Sequence, residues 1–427
     1  MYPLYSILLI LFLFIYLPIS FLQDPFFRKY RRNLGERFGI YSPHLRESLR
    51  KSRPLWIHAV SVGEMMAASP LIRELIRRRP QEGIIISTVT ATGNQVAREK
   101  FSEAGAIIFF PLDFRRIVQR SLRQLSPRAV LLTETELWPH FLRACAEQEI
   151  PCILINGRIS EGSFRRYRWV RRFFRLMVKD MPLLCMQSEV DRRRIIELGA
   201  APSSVKWTGN LKFDQYAKEE REDPRPKLLK ELMMGEKDPV FIAGSTHDGE
   251  EDAAIGAFLR AKEEAKNLLL ILAPRHPDRL NEVERILTQR GLAFSKRSQI
   301  RPDRGRAGDV ILLDTMGELS KIYSLGTVIF VGGSLRGIGG HNILEPAFYG
   351  IPILFGPHME NFQEIAELFL AGRGALAVKD GSDLSQKLIW LLLHPQEAEA
   401  MGARARAILR ENRGATQRTL DLLREYL

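Results

Sequence analysis

Small, acidic and basic residues cluster just beyond short apolar runs. Val60 is followed by Ser61, Val62, Gly63 and Glu64, and Val130–Leu132 by Thr133-Glu134-Thr135-Glu136. Further on, Ile242–Gly244 leads into Ser245-Thr246-His247-Asp248, and Leu270–Ala273 into Pro274-Arg275-His276-Pro277. Val310–Leu313 precedes Asp314-Thr315-Met316-Gly317-Glu318. Val328–Val331 precedes Gly332-Gly333-Ser334 and then Gly339-Gly340-His341-Asn342-Ile343-Leu344-Glu345. This chemistry suits a nucleotide. Glycines let a backbone approach phosphate, and the start of the next helix offers free N–H groups and a positive dipole end. Arg275 has the fork that grips a phosphate or carboxylate. Taken singly, each cluster has a structural explanation: Ser61-x-x-Glu64 and Asn342-x-x-Glu345 match capping boxes, and Gly339-Gly340 matches a turn. Taken together, clusters repeated at strand ends point to a ligand. The chain lacks GxGxxG after its first strand and lacks GxxxxGK[ST], which argues against a dehydrogenase or a P-loop enzyme. His58, His140, His247, His276, His341 and His358 occur singly, without HxxxH spacing or a DxD-like motif, so no metal and no cofactor is expected.

A transfer onto a hydroxyl group needs one carboxylate to take its proton. Glu36 lies in Gly35-Glu36-Arg37-Phe38-Gly39, where partial burial would raise its basicity. From the residues alone it reads as a surface partner of Arg32 or Arg37, and Glu64, Glu134 and Glu136 are equal candidates.

The elements that must hold these groups alternate between strand-like and helix-length segments. Apolar runs at Leu55–Val60, Ile84–Thr88, Ile107–Phe110, Val130–Thr133, Cys152–Asn156, Leu183–Gln187 and Val205–Thr208 imply one parallel sheet covered on both faces. A charged stretch with Pro224 and Pro226 reads as a linker. The pattern restarts at Val240–Gly244, Leu268–Pro274, Val310–Asp314, Val328–Gly332, Ile353–Gly356 and Ala375–Val378. The expected fold class is α/β, with two Rossmann-like, doubly wound domains facing a cleft, in which ligands bind at the carboxyl ends of the strands. The expected divisions are an anchor over 1–22, a first Rossmann-like domain over 23–215, a linker over 216–226, a second Rossmann-like domain over 227–395 and a helical tail over 396–427.

Residues 1–22 are apolar and uncharged, about the length that spans a bilayer. Without a basic start or a small-x-small cleavage site, they read as an uncleaved membrane anchor rather than a signal peptide. Arg28, Lys29, Arg31 and Arg32 then favour a cytoplasmic location for the rest. A net charge of +13 calls for an acidic partner. No nucleic-acid motif accompanies that charge, which leaves anionic lipid or a phosphorylated substrate. The segment 164–179 alternates arginines with Phe164, Tyr167, Trp169, Phe173 and Phe174; it reads equally as a membrane-surface helix and as a helix with its aromatic face in the core. Cys145, Cys152 and Cys185 have no CxxC spacing and read as core residues.

The ordered motifs GERFGIY, HAVSVGE, TETELWP, GRIS, TGNLKFD, GSTHDGEE, LAPRHP, DTMGEL, VGGS, GGHNILEP and GPHMENF resemble the 3-deoxy-D-manno-octulosonic acid (Kdo) transferases of lipopolysaccharide synthesis, over nearly the whole chain. The resemblance implies a GT-B fold and an inverting, metal-independent transfer of Kdo from CMP-Kdo to a phosphorylated lipid A precursor at the cytoplasmic face of the inner membrane. It implies Glu36 as proton acceptor. It implies that Pro274, Arg275, Met316, Gly317 and Glu318, with Asn342, Ile343, Leu344 and Glu345, line the CMP site. From placement alone, Ser61, Gly63, Glu64, Glu134, Lys212, Ser245, His247, Ser334 and His341 are added as donor or acceptor contacts, Lys212 being one candidate for the Kdo carboxylate. Two readings compete: another GT-B enzyme such as a UDP-sugar transferase or epimerase, and a membrane-anchored adaptor without activity.

Overall fold

A computed structural model of the chain describes residues 2–23, 34–79, 83–216, 223–301, 305 and 307–427. The basic run Arg28 to Arg32 and the 217–222 part of the expected linker lie outside these residues.

The chain divides into two units, Met1–Gln215 with Arg413–Leu427, and Tyr216–Asn412. The first is built on strands β1 (Leu55–His58), β2 (Ile84–Thr88), β3 (Ala106–Phe109), β4 (Ala129–Thr133), β5 (Cys152–Gly157), β6 (Leu184–Met186) and β7 (Val205–Trp207). They pair in the order β3-β2-β1-β4-β5-β6-β7, and every pairing is parallel. Side chains alternate across this sheet. Trp56, Ile85, Val130 and Leu154 enter one core, and Leu55, Ile57, Ile86 and Leu131 enter the core on the other face. That two-sided burial is why the strands read as unbroken apolar runs. Several turns into helices are closed by hydroxyl caps, at Ser61, Thr90, Ser160 and Ser188.

The second unit repeats the plan with β8 (Val240–Thr246), β9 (Leu269–Pro274), β10 (Phe294–Lys296), β11 (Val310–Leu312), β12 (Val328–Val331), β13 (Ile353–Phe355) and β14 (Ala375–Ala377). The order is β10-β11-β9-β8-β12-β13-β14. In each sheet the strand order reverses beside the first strand, between β1 and β4 and between β8 and β12. Such reversals open the crevice in which doubly wound proteins bind ligands.

The tail expected as one helical segment over 396–427 is divided. Pro395–Glu411 belongs to the second unit, whereas Ala415–Leu423 belongs to the first. The return is held by Asp214, whose carboxylate accepts the N–H groups of Gly414 and Thr416. Ala415, Leu420 and Leu423 are buried against Leu71 and Leu75.

Tyr2–Gln23 form one helix. Its side chains are described at 2–11 and 14, and Leu4, Ile7, Leu8, Leu11 and Phe14 among them are exposed. Its opening turns are pinned to the first unit. Tyr5 donates to Asp113 at 2.9 Å, and Ser6 Oγ lies 2.8 Å from His140 Nε2. Among the described residues no helix is long and apolar enough to cross a membrane. The segment 164–179 is two helices, Glu161–Trp169 and Arg171–Val178. As expected of a helix with part of its apolar face in the core, Phe174, Met177 and Val178 are buried, while Trp169, Val170 and Leu176 face outward. The three cysteines are free and buried.

Candidate functional site

The first unit gathers three glutamates where its strand order reverses. Glu64 follows β1 on the first turn of the helix Val62–Arg78, and Glu134 and Glu136 follow β4, the strand hydrogen-bonded to β1. The Ser61–Glu64 capping pair forms: Ser61 Oγ accepts the Glu64 N–H and donates to Glu64 Oε1. The same carboxylate reaches further, its Oε2 accepting the Val60 N–H at 2.8 Å and the Thr133 hydroxyl at 3.2 Å. Three donors would hold it ionised. Burial acts against them and, with the charges of Glu134 and Glu136, pushes Glu64 up to about 7. Burial and then Glu134 also raise Glu136. Glu134 sits at φ 53, a left-handed backbone seldom adopted by a residue with a side chain. The site therefore carries a carboxylate balanced between its two protonation states near neutrality, which is what a general base requires.

Glu36 lies elsewhere on the same sheet. Its Oε2 accepts the Phe109 N–H at 2.8 Å, at the end of β3, two strands from β1. Burial raises it, against the Phe109 N–H and the charges of Arg98 and Arg37. Arg37 donates to the Val89 carbonyl and lies over the Phe109 ring. Lys212 follows β7, but its loop doubles back over the sheet. Leu211 N–H reaches Asn156 Oδ1, and Gln215 reaches the Met66 carbonyl.

In the second unit, residues from four adjacent strand ends meet on one edge. Met316, Gly317 and Glu318 follow β11, Pro274 and Arg275 close β9, Ser245 and His247 close β8, and Ser334 through Glu345 follow β12. The Arg275 N–H bonds to the Thr246 carbonyl, which leaves its exposed guanidinium directed outward; among the described residues it has no ion pair. Asn342 donates to the Tyr216 hydroxyl at 2.7 Å and to Glu345 at 3.3 Å, and its Oδ1 accepts the Leu344 N–H. Ile343 and Leu344 are buried and hold this turn to the core. Glu318 is bonded by Thr315 and Arg297, while Met316 is 70% exposed beside Gly317 at φ 82. Next to Glu318 opens a cavity of about 560 Å³ bounded by Lys227, Glu231, Lys321, Phe348 and Tyr349.

The glycine loop departs from its sequence expectation. The N–H groups of Gly333, Ser334 and Leu335 do not face outward for a phosphate; they converge on the fully buried carboxylate of Glu250, which also accepts the His247 N–H. Ser334 is likewise spent, donating to the Val331 carbonyl and accepting the Gly356 N–H. Glu250 was not among the residues singled out from the sequence. Its His247 partner lies three residues before it, but the other three amides lie more than 80 residues away, beyond the reach of any spacing rule. Among the described residues no three His, Cys, Asp or Glu side chains converge to hold a metal ion.

A family model described as 3-deoxy-D-manno-octulosonic-acid transferase (kdotransferase) matches residues 32–215. The chain is 34% identical over 405 residues to the 3-deoxy-D-manno-octulosonic acid transferase of Haemophilus influenzae, covering 93% of this chain and 92% of that one. It is also 34% identical to the transferase of the same name from Bordetella pertussis, over 88% of this chain and 87% of the other. Among solved structures, a UDP-GlcNAc 2-epimerase from Neisseria meningitidis superimposes with a TM-score of 0.61 at 14% identity, over 87% of this chain and all of the other. That likeness concerns the fold alone.

Proposed function

The chain belongs to the 3-deoxy-D-manno-octulosonic acid (Kdo) transferase family, and from that premise we propose that it moves Kdo from CMP-Kdo to a hydroxyl of a phosphorylated lipid A precursor, with inversion, at the cytoplasmic face of the inner membrane. The acceptor oxygen attacks the anomeric carbon of Kdo. The bond from that carbon to the phosphate oxygen breaks, CMP leaves with the electron pair, and the hydroxyl proton passes to a carboxylate.

Glu64 is the group we assign to that proton. The carrying observation is its place on the first turn after β1 at the strand-order reversal, beside Glu134 and Glu136 at the end of β4; burial and those two carboxylates push it up to about 7. There it is ionised often enough to act and basic enough to accept. Glu36, the residue that the motif resemblance gives this role, is the second reading, favoured by its own burial. On the donor side, the exposed Arg275 guanidinium, without an ion pair among the described residues, suits the departing phosphate, and Glu318 and Glu345 suit ribose hydroxyls. Lys212 is a cation for the Kdo carboxylate. The outward Trp169, Val170 and Leu176, the exposed apolar residues of the first helix and the net charge of +13 suit a protein held against anionic lipid as anchor and surface.

Single-turnover transfer by Glu64→Gln and Glu36→Gln separates the two carboxylates. Loss of a general base slows the step about 10²–10⁴-fold. We expect that loss for Glu64→Gln and less than about tenfold for Glu36→Gln. The opposite ranking assigns the proton to Glu36, and wild-type rates in both variants sink the carboxylate-base reading.

A further inference from the structure

His247 follows β8 and His341 follows β12, the two strands that flank the reversal in the second sheet. Their Nε2 atoms are 2.8 Å apart and their rings lie within 4° of parallel. Such a contact needs one bridging proton: one Nε2 donates and the other accepts with its lone pair. The pair can gain one further proton, at the Nδ1 of the donating ring, and the bond survives as a stronger, charge-assisted one. A second added proton would have to occupy the bridging nitrogen and would break the bond.

The contact is built into the fold. Glu250 Oε2 accepts both the His247 N–H, at 3.0 Å, and the Gly333 N–H, at 2.6 Å, which ties the two loops together. Gly333 has φ +68, and a Cβ there would stand 2.8 Å from His341 Cδ2, so glycine is what admits the ring. The charged and titratable groups that bear on the pair are Glu250, Arg275, His276 and Arg279. Glu250 is committed to four amides; the other three are cations or become cations. Burial holds His247 below its ordinary value, opposed by Glu250 and helped by His276, Arg275 and Arg279; burial, then His247, Arg275 and His276, push His341 down to about 4. At neutral pH the pair is therefore uncharged, beside an Arg275 guanidinium without a partner among the described residues.

We propose that His247 and His341 form an anion site for the donor that takes up one proton from solvent as the donor's phosphate or carboxylate binds, so that charge growing on the departing nucleotide meets an imidazolium. The proposal rests on the reading of the second unit as the CMP-Kdo domain. It assigns the pair a chemistry distinct from that of Arg275, whose charge is fixed.

An anion within ~4–6 Å raises a neighbouring imidazole by about 1–3 in pKa. Titration calorimetry of the full-length protein with CMP at pH 6, in buffers of differing ionisation heat, counts the protons taken up. The expected count exceeds that of His341→Gln and of His247→Gln by about half a proton. The proton exchange of CMP itself is common to all three proteins and cancels. If these variants do not fold, His276→Gln serves instead: a count equal to that of wild type supports the pair, and a count that falls to zero overturns the proposal. Uptake with CMP identifies phosphate as the anion; uptake only with CMP-Kdo, in the absence of acceptor, identifies the carboxylate. Binding of both ligands with equal counts in wild type and variants overturns the proposal while leaving the donor reading intact. Failure of wild type to bind either ligand overturns the donor reading, and the proposal with it.

Discussion

Replacing Glu64 by Gln should slow transfer about 10²–10⁴-fold and stabilise the protein in the same stroke. An ordinary glutamate titrates near 4.5, and burial with two carboxylate neighbours moves this one to about 7. A difference of ~2.5 in pKa, at 1.36 kcal/mol each, corresponds to about 3 kcal/mol. The sign follows from the folded value being the higher one. Below about pH 4.5 both folded and unfolded chains carry the proton and the wild type gives up nothing. As pH rises toward 7 the unfolded chain ionises first, so wild-type stability falls, and above about 7 the whole difference has been lost. Glutamine does not ionise, so Glu64→Gln should match the wild type near pH 4.5 and exceed it by up to about 3 kcal/mol at pH 8. For a unit of this size that is roughly 2–4 °C of Tm per kcal/mol. Calorimetric scans of both proteins across that pH range would read it in the transition of the first unit. Activity should show the same group from the other side. Wild-type kcat should rise through pH 7, with a rate at pH 6 of about a tenth of the plateau, whereas the variant should lie about 10²–10⁴-fold lower at every pH. A variant that is no more stable than wild type at pH 8, or a wild-type profile flat from pH 6 to 8, would refute the reasoning.

Three further outcomes follow from buried carboxylates and from the returning tail. Glu250→Ala strands four N–H groups at about 1–3 kcal/mol each where they stay buried; the second unit should lose at least ~3 kcal/mol by denaturant titration, and CMP affinity should fall with it. Asp113→Ala removes the acceptor of the His140 and Phe141 N–H groups and of the Tyr5 hydroxyl; a loss of about 2–5 kcal/mol is expected, against ~1 kcal/mol for Tyr5→Phe, both read as shifts in denaturant midpoint. Ending the chain at Asn412 uncovers the face against which Leu420 and Leu423 are buried. At ~1.5–3 kcal/mol per leucine, the first unit should melt earlier while the second is unchanged.

The sheets were legible because buried parallel strands leave a plain signature. Runs such as Leu268–Pro274 and Val328–Gly332 are apolar on both faces and end in polar clusters. Phe294–Lys296 was missed for the opposite reason. It pairs only with β11 at the rim of its sheet and is half-buried throughout, so Ser295 and Lys296 break the run. The division of the tail was hidden because Ala, Leu and Arg compose a helix equally well against either unit, and Asp214 gives no local sign that it will hold Gly414. At the first site, Ser61-x-x-Glu64 offered a capping role, and only packing could show that Thr133, Glu134 and Glu136 would gather around the same carboxylate. At the second site, glycines were visible but the destination of their amides was not. A buried glutamate took them, and two histidines read singly from the sequence proved to be bonded to each other.

The central claim is tested most directly by incubating the purified full-length protein with CMP-Kdo and a phosphorylated lipid A precursor, and weighing the lipid products by mass spectrometry. The expected outcome is precursor carrying added Kdo, one CMP released per sugar transferred, and the same product from the Glu64→Gln protein at a rate about 10²–10⁴-fold lower. Unmodified precursor from the wild type, or a product formed from a UDP-sugar in place of CMP-Kdo, would contradict it.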